Sequence, residues 1–232
     1  YSLESDAGHR VIVPLLQALQ VRLDTLVLSH RDTDHVGGAA AVLAQQPQAA
    51  WIGSMAHDAS TALPRPGARC EAGMAWQWDG VRFEVLHPLA GDYQQAHKPN
   101  ALSCVLRISA GIQVALLAGD IEEAQEAALR SREPDLRATV LLVPHHGSKT
   151  SSSAAFLDAV APQVALVQAG YRNRFGHPAE PVLQRYAQRA VTVVDSPHCG
   201  AWTWQSWRTD VPQGQCQRDR ARRYWHHRLD ER

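Results

Sequence analysis

Two imidazoles and two carboxylates fall within the six residues His30-Arg31-Asp32-Thr33-Asp34-His35. Charged groups gathered beside a buried strand are costly to desolvate unless they are paired or coordinate a metal. The alternation of His30, Asp32 and Asp34, with His35 directly after, suits a turn that aims alternate side chains at one point. An exposed polar turn is the plainer assignment, and the density of ligand-type side chains argues against it. Further along stand Asp120, in Ala118-Gly119-Asp120, and His145-His146, in Val143-Pro144-His145-His146-Gly147-Ser148-Lys149-Thr150-Ser151. These seven side chains offer enough donors for two divalent ions. Two ions about 3.5–4 Å apart can activate a water and clamp the leaving oxygen of an in-line displacement. Asp120 suits the bridging place, because one carboxylate can give an oxygen to each ion.

Each cluster follows an apolar run that can hold it. Leu23–Leu28 reads as a short buried strand before His30, and Gly37-Gly38 with the alanine-rich run through Gln45 as a helix after it. Ser103–Ile108 and Ile112–Leu117 read as paired strands leading to Asp120, and Thr139–Val143 as the strand before the histidine pair. Ile121–Arg132 reads as a helix whose early Glu122 and Glu123 suit its dipole. Ser151–Ser153 can cap a helix over Ala154–Val160, followed by strand Val164–Val167, helix Pro181–Gln188 and strand Val191–Val194. Residues 1–9 read as irregular, Val11–Leu19 as a helix with Pro14 in its first turn, and Ala49–Ile52 as a strand. Residues 53–75 and 88–100 read as loops, with a hairpin between them turning at Asp79-Gly80. Gly200–Trp207 alternates again, with Trp202 and Trp204 on one face. Periodicity therefore predicts mixed α and β structure with hairpins and single crossovers.

The length suits one domain with a tail. With 23 basic and 23 acidic residues there is no overall positive field, so any nucleic-acid contact must be local. The apolar runs are too short to span a bilayer. The chain opens on Tyr1, which reads as a piece of a longer protein whose preceding part holds targeting or membrane segments. The four cysteines form no C-x-x-C, which weakens a structural zinc assignment. They permit three disulfide pairings, among which spacing alone does not choose. Nearest-neighbour pairing joins Cys70 with Cys104 and Cys199 with Cys216 and implies an oxidising compartment; four reduced buried thiols are the alternative.

The turn His30-x-Asp32-x-Asp34-His35 resembles the signature turn of the metallo-β-lactamase fold superfamily. With the Val143–Ser151 motif, Ala118-Gly119-Asp120 and Asn173-Arg174-Phe175-Gly176-His177-Pro178, nearly the whole chain is similar to a more specific group. That group is the C-terminal metallo-β-lactamase-like domain of the ComEC family, the DNA-uptake channel of naturally transformable bacteria. The resemblance implies an α/β fold, a four-layer αββα sandwich, over residues 1–216, with 217–232 as an Arg-rich tail. In that family an Asp-x-Gly motif supports the metals. The only such triplet here, Asp6-Ala7-Gly8, has no apolar strand before it and is not assigned to that role, so the first strands of the fold are expected to be missing.

By the same resemblance, one ion takes His30 and Asp32, and the other Asp34, His35 and one histidine of the 145–146 pair. His146 is the favoured ligand and His145 a phosphate contact, and Asp34 can also orient the attacking water. His177 falls at the rim, where it would protonate the leaving group or contact phosphate. Ser148, Lys149, Asn100 and Asn173 are candidate substrate contacts, with Ser103 as a support; turn, cap and strand-edge roles are their plainer assignments. His57, His87, His198, His226 and His227 read as surface or structural. Asp32 stands where many family members have histidine, so the site is rich in oxygen, and Mn²⁺ is plausible beside Zn²⁺.

The implied activity is that of a metal-dependent phosphodiesterase or nuclease, a two-metal-activated water attacking DNA during natural transformation. Its partners would be single-stranded DNA and the membrane channel and OB-fold parts of the same parent chain, with no small organic cofactor. Its location would be the periplasmic or extracellular face of the inner membrane. The alternatives are a non-catalytic DNA-guiding domain and a small-molecule phosphodiesterase.

Overall fold

Short apolar strands ending in polar loops make up the computed structural model, which describes residues 6–58, 62–95, 97–207, 212 and 214–224. The chain divides into two units, one of residues up to 74 with 85–105, the other of residues 75–84 with those from 106 onward.

In the first unit a helical turn over Gly8–Ile12 runs into α1 (Val13–Leu19), which has Pro14 in its first turn. Residues 6–9 are thus bent or helical where an irregular start is expected. The apolar run before His30 is extended only over β1 (Thr25–Leu28). The ligand turn then closes through a single helical turn, α2 (Thr33–Val36), before α3 (Ala39–Gln45). β2 (Ala50–Gly53) pairs parallel with β1, α3 being the crossover, and β3 (Ala68–Arg69) adds a short parallel edge. Leu28, Ala39, Leu43, Trp51 and Met55 form the core beneath this sheet, each large side chain contributing roughly 1.5–3 kcal/mol of burial. The Arg65 guanidinium donates to the carbonyls of Leu43, Gln46 and Ala49, and Trp51 Nε1 donates to the Arg65 carbonyl. The long loop after β2 is thereby tied to the core. A Cys70–Cys104 disulfide closes the unit.

The second sheet has seven strands in the order β10-β9-β8-β7-β6-β5-β4. β4 (Ala75–Trp78) and β5 (Val81–His87) form the expected hairpin, with Asp79 and Gly80 both left-handed at φ 48° and 81°. Across it Trp76 stacks on its partner Phe83 at 5.2 Å. β6 (Val105–Ala110) runs antiparallel to β7 (Gln113–Leu117). From there β7, β8 (Val140–Leu142), β9 (Val164–Val167) and β10 (Thr192–Asp195) are all parallel. Their connections carry α4 (Glu123–Arg132), α5 (Ala154–Val160) and α6 (Glu180–Ala187). Ser153 caps α5 as expected, its hydroxyl accepting from Phe156 N–H. Parallel strands end on one edge, so the loops after β7, β8 and β9 share it.

After α7 (Ser196–Cys199), β11 (Trp202–Trp204) and β12 (Gly214–Cys216) make a small antiparallel ribbon. Trp202 and Trp204 stack on its one face at 6.3 Å, and Cys199 is bonded to Cys216. Both nearest-neighbour cysteine pairs are therefore the ones formed. α8 (Gln217–Arg220) follows; residues 225–232, His226 and His227 among them, lie outside the described residues. No helix among the described residues is long and apolar enough to cross a membrane.

Candidate metal centre

The first group of candidate ligands lies just past β1. His30 is fully buried, and its Nδ1 meets the hydroxyls of Ser29 at 3.1 Å and Ser103 at 3.3 Å. The same Ser29 hydroxyl reaches His35 Nδ1 at 2.9 Å, and the two rings are 4.1 Å apart. The Ser29 carbonyl accepts from Cys104 N–H and Ser54 Oγ, so the hydroxyl is presented by a fixed backbone. With each Nδ1 so engaged, the Nε2 atoms face carboxylates: His30 Nε2 is 3.5 Å from Asp32 Oδ2, and His35 Nε2 is 3.7 Å from Asp34 Oδ2. Asn100 lies in the 3₁₀ turn Pro99–Leu102, its carbonyl accepting from Ser103 N–H. His87 is buried, with Nε2 on the Ala101 carbonyl, and His57 Nδ1 lies 2.7 Å from Arg69.

Asp6-Ala7-Gly8, which the sequence leaves without a site role, packs closely within the first unit. Asp6 is buried and accepts from the His9 N–H while its other oxygen meets the His9 ring. Gly8 abuts Gly38, at the start of α3, so closely that a methyl on Gly8 would lie 2.2 Å from the Gly38 carbonyl oxygen. The triplet is thus seated against the C-terminal side of the ligand turn.

The second group lies at the edge where β7, β8 and β9 end. Asp120 is buried just past β7. His145 and His146 follow β8 as consecutive left-handed residues, φ 50° and 54°. Non-glycine residues rarely hold that conformation, and where it persists it tends to mark function. The His145 N–H donates to the Gly119 carbonyl, which ties this loop to the one carrying Asp120. His146 Nδ1 is on the Gln168 carbonyl at 2.7 Å, and its Nε2 is 3.5 Å from Asp120 Oδ2. His145 Nε2 is further from the same oxygen, 3.9 Å, while its Nδ1 lies 3.3 Å from Thr150 Oγ1 and 3.4 Å from Glu122 Oε1. Thr150 in turn donates to Glu122. Ser148 is buried against Thr150, and Lys149 is exposed.

Gly147 is left-handed at φ 81°, and a methyl there would meet Pro178 Cβ at 2.7 Å. This contact sets the histidine loop against the loop carrying His177. The His177 ring is 6.0 Å from that of His145, and its Nδ1 is buried with no hydrogen-bond partner among the described residues. Burial, with His145 and His146 nearby, holds its proton affinity below that of an ordinary imidazole. Asn173 braces this loop from within: its amide donates to the carbonyls of Gly170 and His177, and its oxygen accepts from Phe175 and His177 N–H. Glu122, Thr150 and the Gln168 carbonyl were not legible as site groups, since the fold brings them to the histidines from other loops.

A nitrogen and an oxygen each about 2.0–2.2 Å from one ion, at a near-tetrahedral angle, stand roughly 3.4–3.6 Å apart. The His30–Asp32 and His146–Asp120 separations, both 3.5 Å, match that spacing, the His35–Asp34 separation of 3.7 Å lies just above it, and all three are too long for good direct hydrogen bonds. Each ring also has its other nitrogen held by a hydroxyl or carbonyl, the arrangement that orients metal-ligating histidines. The donor set fits divalent ions.

The chain belongs to the metallo-β-lactamase superfamily, whose model matches residues 6–171. Its homologues at 31–39% identity include competence proteins of the ComEC family. It is 39% identical over 197 residues to competence protein ComA of Neisseria gonorrhoeae, covering 84% of this chain and 27% of that one. It is 37% identical over 210 residues to the uncharacterised protein YcaI of Escherichia coli, covering 88% and 26%. With ComE operon protein 3 of Bacillus subtilis the identity is 31% over 208 residues, covering 83% and 26%. The chain thus spans about a quarter of the length of these curated relatives. Among solved structures, a mutant of the CmlA β-hydroxylase superposes with a TM-score of 0.50 at 11% identity, over 75% of this chain and 43% of that one, a likeness of fold alone.

Proposed function

We propose that this chain is the metal-dependent phosphodiesterase domain of a DNA-uptake protein and hydrolyses single-stranded DNA as it arrives at the outer face of the inner membrane. The carrying observation is the repeated geometry of His30, His35 and His146, each with Nδ1 held and Nε2 set across from a carboxylate oxygen at 3.5–3.7 Å. The competence-protein relatives supply the DNA context.

In this reading divalent ions, Zn²⁺ or Mn²⁺, would be held by His30, Asp32, Asp34 and His35 of the first unit and by Asp120 and His146 of the second. When bound, such ions polarise a phosphoryl oxygen and lower the pKa of water. The chain's own residues do the rest. Asp34, half-exposed, orients the attacking water and takes its proton. His145, further from Asp120 and steadied by Glu122 and Thr150, donates to a non-bridging phosphate oxygen. Lys149 adds charge from the exposed end of the same loop, and Ser148 shapes that loop from within. His177 contacts the phosphoryl group or the departing oxygen. Asn173 serves the substrate by holding the His177 loop in shape, and Asn100 by holding the turn that presents Ser103. The membrane channel and OB-fold parts of the parent chain would deliver the strand.

The test is hydrolysis of end-labelled single-stranded DNA with Mn²⁺ or Zn²⁺, set beside Asp34→Ala with its melting curve. Short labelled products from the native chain, absent in a folded variant, support the reading. Intact DNA with a folded, metal-binding native chain favours a guiding role. Turnover of small phosphodiesters far above DNA points to a small-molecule enzyme.

A further inference from the structure

The loop between β9 and α6 contains Tyr171-Arg172-Asn173-Arg174-Phe175, two aromatic rings and two guanidiniums in five residues with no acid among them. Phe175 is 67% exposed and Tyr171 46%. An arginine lies over each ring: Arg174 is 4.8 Å from the Phe175 centroid and Arg172 is 5.2 Å from that of Tyr171. Phe175 is also nearly parallel to His177, at 17° and 5.8 Å between centroids, an offset that leaves most of the Phe175 ring in solvent. His177 leads on to His145 at 6.0 Å. The loop is not slack, because the Asn173 side chain makes four hydrogen bonds inside it. A large apolar ring is therefore held outward by a braced loop, two positions before a histidine of the candidate site.

We infer that Phe175 is a stacking platform for one unpaired base of single-stranded DNA, the base next to the phosphate at His145 and His177, and that Arg172 and Arg174 turn from the rings to the flanking phosphates. Charge complementarity selects the occupant: two guanidiniums beside two exposed rings match a ligand that alternates anionic backbone with flat apolar faces. Paired bases have their faces covered by their neighbours, so the platform accepts single strands and not duplex. Stacking of this kind tolerates any sequence, since every base has a π-face. The inference rests on the phosphodiesterase reading for its choice of DNA, but its own test measures binding.

That test uses fluorescence anisotropy of a labelled mixed-sequence single strand and of its duplex, with the whole chain in an Asp34→Ala background that prevents cleavage. Phe175→Ala is expected to weaken single-strand affinity roughly 5- to 100-fold. Phe175→Trp restores it, and the duplex is affected by neither. Replacing Arg172 and Arg174 by Gln lowers the salt dependence of binding, as expected when phosphate contacts are removed. Unchanged single-strand affinity in Phe175→Ala, at an unchanged melting temperature, overturns the inference, as does an equal loss for duplex. Absence of hydrolysis by the native chain, with single-strand affinity still dependent on Phe175, counts against the enzymatic reading and leaves the platform standing.

Discussion

His146 and Asp120 face each other with Nε2 3.5 Å from Oδ2, while the other ring nitrogen of His146 is fixed on the Gln168 carbonyl at 2.7 Å. The separation is too long for a strong hydrogen bond and suits two bonds to one ion. Asp120→Asn should therefore lower bound metal, counted by elemental analysis, and cut DNA hydrolysis by more than about 100-fold. The melting temperature without metal should hardly move. A variant retaining its full metal content and rate would show that Asp120 is no ligand.

Ser29 serves two rings at once, meeting His30 Nδ1 at 3.1 Å and His35 Nδ1 at 2.9 Å. Ser29→Ala removes a shared orienting group without touching a candidate ligand. Calorimetric titration with Mn²⁺ or Zn²⁺ should show affinity reduced about 10- to 100-fold. Native affinity would mean that Ser103 alone suffices to orient His30.

Gly147 combines a left-handed φ of 81° with a contact that leaves no room for a β-carbon beside Pro178. Gly147→Ala should cost about 1–3 kcal/mol in urea denaturation. Its rate should fall further than that loss explains, because the histidine loop must move away from His177. A variant as stable and active as the native chain would refute the close approach.

Glu126 is fully buried on α4, with its two oxygens accepting from the N–H groups of Ser152 at 2.5 Å and Ser153 at 2.9 Å. It ties α4 to the segment that leaves the histidine loop and starts α5. Glu126→Ala strands both donors and should cost about 2–5 kcal/mol. Burial raises the pKa of this carboxyl despite those bonds. A folded pKa above the unfolded one means that ionisation opposes folding. The stabilising share of the protonated form is thus complete below the ordinary carboxylate range and declines as pH rises towards the raised value. The stability of the native chain relative to Glu126→Gln should accordingly fall as pH rises above the ordinary carboxylate range, read from paired melting curves. A difference independent of pH would contradict the raised pKa.

Much of the architecture could be read from patterning. The apolar runs ahead of His30, Asp120 and His145 became β1, β7 and β8, because a buried strand shows as a short apolar stretch that stops where the backbone meets a polar edge. Asp79-Gly80 predicted its hairpin because those residues accept the left-handed turn the strands require. The packing of Asp6-Ala7-Gly8 had no such local mark. The triplet's place instead depends on Gly38, thirty residues away, where the backbones touch.

The sequence by itself determined the chemistry on offer, since imidazoles and carboxylates at this density are intelligible chiefly as metal donors, and it determined which strand ends carry them. Only the tertiary structure decided which nitrogen of each ring is held and which faces a carboxylate. The two nitrogens of a histidine look alike in a sequence, and what distinguishes them here comes from elsewhere in the chain. Ser103 reaches His30 across 73 positions, and the parallel pairing of β8 with β9 brings the Gln168 carbonyl to His146 across 22. Such partners are set by strand register and loop closure, which depend on the packing of the whole unit and leave no local mark on the residues they join.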